Sequence, residues 1–162
     1  MLNRFALIIC MFTLATSTFA QSKPAGKMAA GAPDKTYLQK IWDGWSTLDP
    51  ANTAQYYAKG EHIFFDIAPL KYSSWDEYEA GVKKVLADYQ AGKFTVNDDA
   101  ELHPAGDYVW GSATVKSDMT QKSGKREMGT FRWTYVFHKE DGKWLLVQNT
   151  SRPHWDRCET DT

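Results

Sequence analysis

Thr130-Phe131-Arg132-Trp133-Thr134-Tyr135-Val136-Phe137-His138 sets an aromatic ring at alternate positions, and the run is closed by Asp141-Gly142 and then Trp144-Leu145-Leu146-Val147. A period of two belongs to a β-strand, whose successive side chains point to opposite faces. Asp-Gly between two such runs is a tight-hairpin signal, so the sequence predicts antiparallel strands over 127–139 and 143–151. One face of the first strand carries Phe131, Trp133, Tyr135 and Phe137; the other carries Thr130, Arg132, Thr134, Val136 and His138. The second strand is apolar on both faces, so both sides of the sheet need cover, which one layer of helices cannot provide. The expectation is an outward-facing aromatic stripe, too large to leave wet, that a homodimer buries through the sheet.

Working back along the chain, Tyr108–Lys116 and Phe94–Leu102 read as two further strands, bounded by Pro104-Ala105-Gly106 and the Lys122-Ser123-Gly124-Lys125 turn. His62–Ile67 is another, ended by Pro69. Three helices precede or interrupt them. Asp34 caps the first, with Tyr37, Leu38, Ile41, Trp42, Trp45 and Leu48 at three-to-four spacing. Asp49-Pro50 opens a short second helix that Lys59-Gly60 stops. Ser74-Trp75-Asp76-Glu77 has capping-box spacing and opens a third, whose Tyr78, Val82, Val85, Leu86 and Tyr89 line one side as far as Gly92. The order predicts an α+β domain with helices gathered on one face of a mostly antiparallel sheet.

The chain has 162 residues, 24% of them charged, and a formal net charge of −1. That balance excludes a disordered chain and lacks the electrostatic footprint of a nucleic-acid binder. Aromatic residues make up 14%, a large flat apolar supply for one small domain. Met1–Arg4, the apolar Phe5–Leu14 and the small-x-small Thr18-Phe19-Ala20 predict a signal peptide over 1–20 and a periplasmic or secreted protein, with no membrane attachment after cleavage. Residues 21–33 read as a flexible leader, 34–157 as the domain and 158–162 as a tail. Removing the signal also removes Cys10, leaving Cys158 without an intramolecular partner.

Phe64-Phe65-Asp66-Ile67-Ala68-Pro69, Tyr72 with Trp75-Asp76-Glu77-Tyr78, Arg132-x-Thr134, and Gly142-Lys143-Trp144 running to Ser151-Arg152-Pro153 resemble the SnoaL-like, ketosteroid-isomerase-like branch of the nuclear transport factor 2-like superfamily. The resemblance covers Asp34 to Trp155. It implies a cone in which a strongly curved sheet wraps the helices around an apolar pocket, with homodimers through the sheet common.

Asp66, between apolar neighbours, would lose water and have its pKa raised, as a general base requires; by resemblance it matches the catalytic Asp of ketosteroid isomerases. The alternative is a strand-end Asp bonded to the next loop. Thr134 and Ile41 or Trp42 stand where those isomerases carry their oxyanion donors, so steroid isomerisation is not expected. Arg132, with Thr134, would face the cone, either bracing Asp66 or clamping a ligand carboxylate. Asn149 and Ser151 could complete the pocket, and Trp42, Trp45, Tyr57, Tyr72, Trp75 and Trp110 are its candidate walls. His62, His103, His138 and His154 lack metal-site spacing, so neither metal nor cofactor is expected. The readings left open are a binder of a small, largely apolar organic molecule, a proton-transfer isomerase or lyase using Asp66, and a non-catalytic assembly module.

Overall fold

A computed structural model describes residues 31–60, 62–65 and 71–153. The expected signal peptide, Asp66, His154 and Cys158 lie outside the described residues.

Helix α1 spans Lys35–Trp45, and the Asp34 carboxylate caps it by accepting from the Tyr37 N–H at 2.7 Å. Its buried face is Leu38, Ile41, Trp42 and Trp45, the predicted spacing. Helix α2 spans Trp75–Leu86. At its start Ser74 Oγ accepts from the Glu77 N–H at 3.3 Å, while the Glu77 carboxylate accepts from the Ser73 N–H at 2.9 Å. Orphan amide donors at the helix start are thereby satisfied.

Two α-helices form rather than three. The segment after Asp49 makes two 3₁₀ turns, Pro50–Asn52 and Ala54–Tyr56. Side chains bracket the first turn: Asp49 at its start accepts from the Ala51 N–H at 3.0 Å, and the Thr53 hydroxyl at its end donates to the Pro50 carbonyl at 2.9 Å. Nor does α2 reach Gly92.

Strand β1 is Ile63–Phe65, β2 Tyr89–Val96, β3 Glu101–Ala105, β4 Tyr108–Gln121, β5 Arg126–Glu140 and β6 Lys143–Pro153. The order is β1-β6-β5-β4-β2, with β3 also on β4; β1 runs parallel to β6 and the other pairs are antiparallel. The β4–β5 hairpin is longer than the sequence pattern suggests. Its extension, Ser117–Gln121, supplies backbone partners for Tyr89–Phe94 and draws Tyr89 out of the helix into β2. The expected strand over 94–102 is broken because the Asp99 carboxylate accepts from the Thr114 N–H and hydroxyl at 3.0 and 2.7 Å, holding a local loop between β2 and β3. Pro104 sits within β3, at the sheet edge, where its missing N–H is tolerated.

The aromatic stripe of β5 faces inward, against expectation. Trp133, Tyr135 and Phe137 are 1%, 1% and 0% exposed, and Phe131 is half-buried against them. Trp42 meets Phe131 and Trp133 with ring centroids 5.1 and 5.2 Å apart, and Tyr37 meets Phe137 at 5.6 Å, all edge-on. Helix α1 thus covers the stripe, which removes far more apolar area from water than covering Arg132, Thr134 and His138 would. The stripe therefore offers no outer surface to a second copy. Among the described residues the large apolar side chains exposed on the sheet's outer face are Ile63, Tyr108, Trp110 and Met128.

Candidate functional site

A cavity of about 310 Å³ opens between the ends of the helices and the inner face of the sheet. Its size follows from a local shortage of side chain. Gly129 and Ser117 stand opposite each other on β5 and β4, with Phe94 beside Ser117 on β2 and Trp42 of α1 lining the cavity with them. Helix α1 contributes Trp42 and Trp45, α2 contributes Tyr78 and Val82, and Ser151 closes the β6 side. The wall is apolar and aromatic with few polar groups, the usual make-up of a small-molecule site.

Two of those polar groups are joined. The Tyr89 hydroxyl donates to a Glu127 carboxylate oxygen at 2.9 Å, while Lys125 Nζ and Gln121 Nε2 donate to the other oxygen at 2.8 and 3.1 Å. The bonds from Lys125 and then Tyr89 hold the Glu127 carboxyl below the usual range. The same bond, followed by burial, raises the Tyr89 hydroxyl. A carboxylate stabilised in its charged form is a poor general base and a good acceptor. A third polar group is the half-buried Ser151 hydroxyl, whereas the indole N–H of Trp42, though unpartnered, is sealed off from the cavity. The Ser151 hydroxyl is a donor that an acceptor in the cavity can engage.

The expected site residues divide into three sets. Trp42, Trp45 and Ser151 lie on the cavity wall. Tyr57, Tyr72 and Trp75 belong to the aromatic core behind it: Trp45 Nε1 donates to the Tyr57 hydroxyl at 3.0 Å, Trp75 lies 4.7 Å from Tyr57, and Tyr72 lies 5.2 Å from Tyr78. Asn149 is also inward and 1% exposed, beside Tyr135 in the register, with its Oδ1 unpartnered.

Arg132, Thr134 and Trp110 stand on the opposite, outer face and do not line the cavity. Their position is the direct consequence of the inward stripe, because neighbours on a strand alternate. Arg132 is exposed and makes no ion pair with a described residue, and Trp110 is 52% exposed and stacked on His103 at 4.3 Å. Asp66 lies outside the described residues.

Glu127, Tyr89, Phe94 and Met119 were absent from the expected site. Glu127 and Gly129 share the odd-numbered parity of Phe131 and Trp133, so their inward direction is legible once the stripe is known to face in. No local signal pairs Tyr89 with Glu127.

A family model for the SnoaL-like domain matches residues 36–153. This chain belongs to the SnoaL-like family. Its nuclear transport factor 2-like fold is shared with solved structures of low identity. A Salmonella enterica protein of that superfamily is 13% identical with a TM-score of 0.65, over 79% of this chain and 96% of its own. A Xanthomonas campestris protein, provisionally assigned as a calcium/calmodulin dependent protein kinase II association domain, is 20% identical with a TM-score of 0.65, over 80% of this chain and 95% of its own. Hexachlorocyclohexane dehydrochlorinase LinA-type3 from Novosphingobium barchaimii is 12% identical with a TM-score of 0.61, over 75% of this chain and 86% of its own. No curated protein matches the chain. The inner cavity of the SnoaL-like domain is thus walled here by aromatic rings and held open by Gly129 and Ser117.

Proposed function

We propose that this protein is an exported SnoaL-like domain that binds a small, largely apolar, aromatic molecule carrying a hydrogen-bond acceptor. The observation that carries the reading is the Ser151 hydroxyl on the wall of a largely apolar, aromatic cavity of about 310 Å³. Rings of Trp42, Trp45 and Phe94 offer flat apolar contact, and the Ser151 hydroxyl fixes the orientation of a carbonyl or ether oxygen. Glu127, already bonded on both oxygens, accepts from a ligand hydroxyl and does not abstract protons from carbon.

The test compares 2-acetylnaphthalene with 2-ethylnaphthalene, near-isosteric probes that differ in the acceptor, by quenching of tryptophan fluorescence. The ketone is expected to bind several-fold more tightly, as one net hydrogen bond of about 1 kcal/mol implies. Ser151→Ala should remove that difference and keep the weaker, shared affinity. Failure of both probes to bind the wild-type protein at their solubility limit would overturn the reading. Export is checked by the intact mass of the mature protein, expected to begin at Gln21.

The second reading is an elimination or isomerisation with Asp66 as base, supported by the fold shared with a dehydrochlorinase. Proton–deuterium exchange at an acidic carbon of a bound ketone, lost in Asp66→Asn with binding retained, would favour it.

A further inference from the structure

The outer face of the sheet carries an arrangement of charge unrelated to the cavity. Arg152 stands directly opposite Arg132 in the β6–β5 register, and Arg132 stands opposite Thr114 on β4. Lys116 lies two residues farther along β4, opposite Thr95, and Lys93 lies two residues beyond that level on β2, opposite Asp118. All four basic side chains are exposed. Cations therefore step diagonally across four adjacent strands, with Cβ separations of about 5 Å for the opposed pair and about 7–8 Å for the diagonal steps.

None of the four cations forms an ion pair with a described residue, although Asp118 beside Lys93 and Asp98 near Lys116 offset part of their charge. Asp118, beside Lys93, is gripped by Arg126 through Nε at 2.7 Å and a terminal nitrogen at 2.5 Å. Asp99 keeps its charge and has both oxygens on the Thr114 backbone and hydroxyl, turned to that residue and not to a cation of the track. Two arginines set directly opposite each other repel and destabilise the bare sheet, a cost that a bound anion removes. Lys93, Lys116 and Arg132 share an open groove of about 950 Å³ with Thr95 and Thr130, whose exposed hydroxyls flank Lys116 in the same cross-strand row. The exposed Thr134 lies next to Arg132 along the same face.

We propose that this diagonal track binds an acidic polysaccharide of the uronic-acid type, with carboxylates on the four cations and ring hydroxyls on Thr95, Thr130 and Thr134. The repeating charge matches an extended polyanion crossing the strands, and the interleaved hydroxyls match a ligand that offers both charge and alcohols. A second copy in two-fold contact here would set the cationic track against itself. Bases of single-stranded nucleic acid need aromatic platforms, and the exposed rings Tyr108 and Trp110 lie toward the other end of β4. A lipid surface needs an apolar face beside the basic one, whereas Met128 is the large exposed apolar side chain of this groove.

The test titrates an oligogalacturonate long enough to span four strands into the full chain, at two salt concentrations, by calorimetry and amide NMR. Binding should weaken as salt screens the charges, and the shifted amides should fall on β2, β4, β5 and β6. Lys116→Glu combined with Arg132→Glu should lower the affinity tenfold or more while leaving the naphthyl ketone's affinity for the cavity unchanged. Thr95→Ala with Thr130→Ala should weaken the oligogalacturonate several-fold and leave polyphosphate unaffected. Absence of binding at low salt, or charge-reversed protein that binds as wild type, overturns the proposal. So does equal affinity for polyphosphate or anionic phosphatidylglycerol vesicles with no effect of the threonine pair, which would mean that the face reads charge alone.

Discussion

Tyr89 donates its hydroxyl proton to Glu127 at 2.9 Å, tying the first residue of β2 to the second of β5 on the cavity wall. Because this bond, with that from Lys125, holds the folded-state pKa of Glu127 below its unfolded value, its contribution is present above the unfolded value of about 4.3. It is lost as the pH falls through the lower, folded value. Tyr89→Phe should raise the NMR-titrated pKa of Glu127 part of the way, Lys125 keeping the remainder. An unchanged value would mean that the bond is not made in solution.

Adjacent residues on β5 should behave oppositely. Trp133→Ala should lower stability by about 3–5 kcal/mol in denaturant melts, because it empties a site among Trp42 and Tyr135. Arg132→Ala should stay within about 0.5 kcal/mol of wild type, since its side chain is exposed and unpaired on the outer face. A large loss at Arg132 and a small one at Trp133 would reverse the faces of the sheet.

Gly111 and Gly129 make a second contrast. A Cβ on Gly111 would overlap the Glu101 carbonyl oxygen and meet the Tyr135 ring at 3.0 Å, so Gly111→Ala should destabilise by about 3 kcal/mol or prevent folding. The Tyr135 hydroxyl donates to that same carbonyl at 2.8 Å, so the β3 edge would lose its anchor too. At Gly129 the new atom would meet Ser117 Oγ at an ordinary 3.5 Å, and thermal melts should change little. The same substitution narrows the cavity and should weaken binding of the naphthyl ketone.

Tyr37 gives an alkaline signature. Its hydroxyl donates to the Trp144 carbonyl, and burial, with Tyr56 second, pushes its pKa up to about 12. A folded pKa above the unfolded value of about 10 gives stability that is whole below pH 10 and drains away as the pH rises toward 12. Tyr37→Phe should cost about 1 kcal/mol at neutral pH and flatten that alkaline decline. An identical decline in the variant would assign it to other groups.

Periodicity and punctuation determined most of the secondary structure. The capped Asp34 and Ser74 starts, the Asp141-Gly142 hairpin and the alternation along β5 depend on neighbours in the chain, and each is found where the sequence puts it. Those local rules failed where a distant partner intervened. Tyr89 continues the apolar face of α2 in sequence, yet the long β4 arm offers it a strand's hydrogen bonds. Tertiary structure alone decided which face of β5 is inside. Alternation states that Arg132 and Trp133 point opposite ways but carries no sign, and the sign came from α1 laying Trp42 onto Trp133. The cavity residues Tyr89, Glu127 and Gly129 and the outer row of cations meet only through register, a relation between strands that no stretch of chain contains by itself.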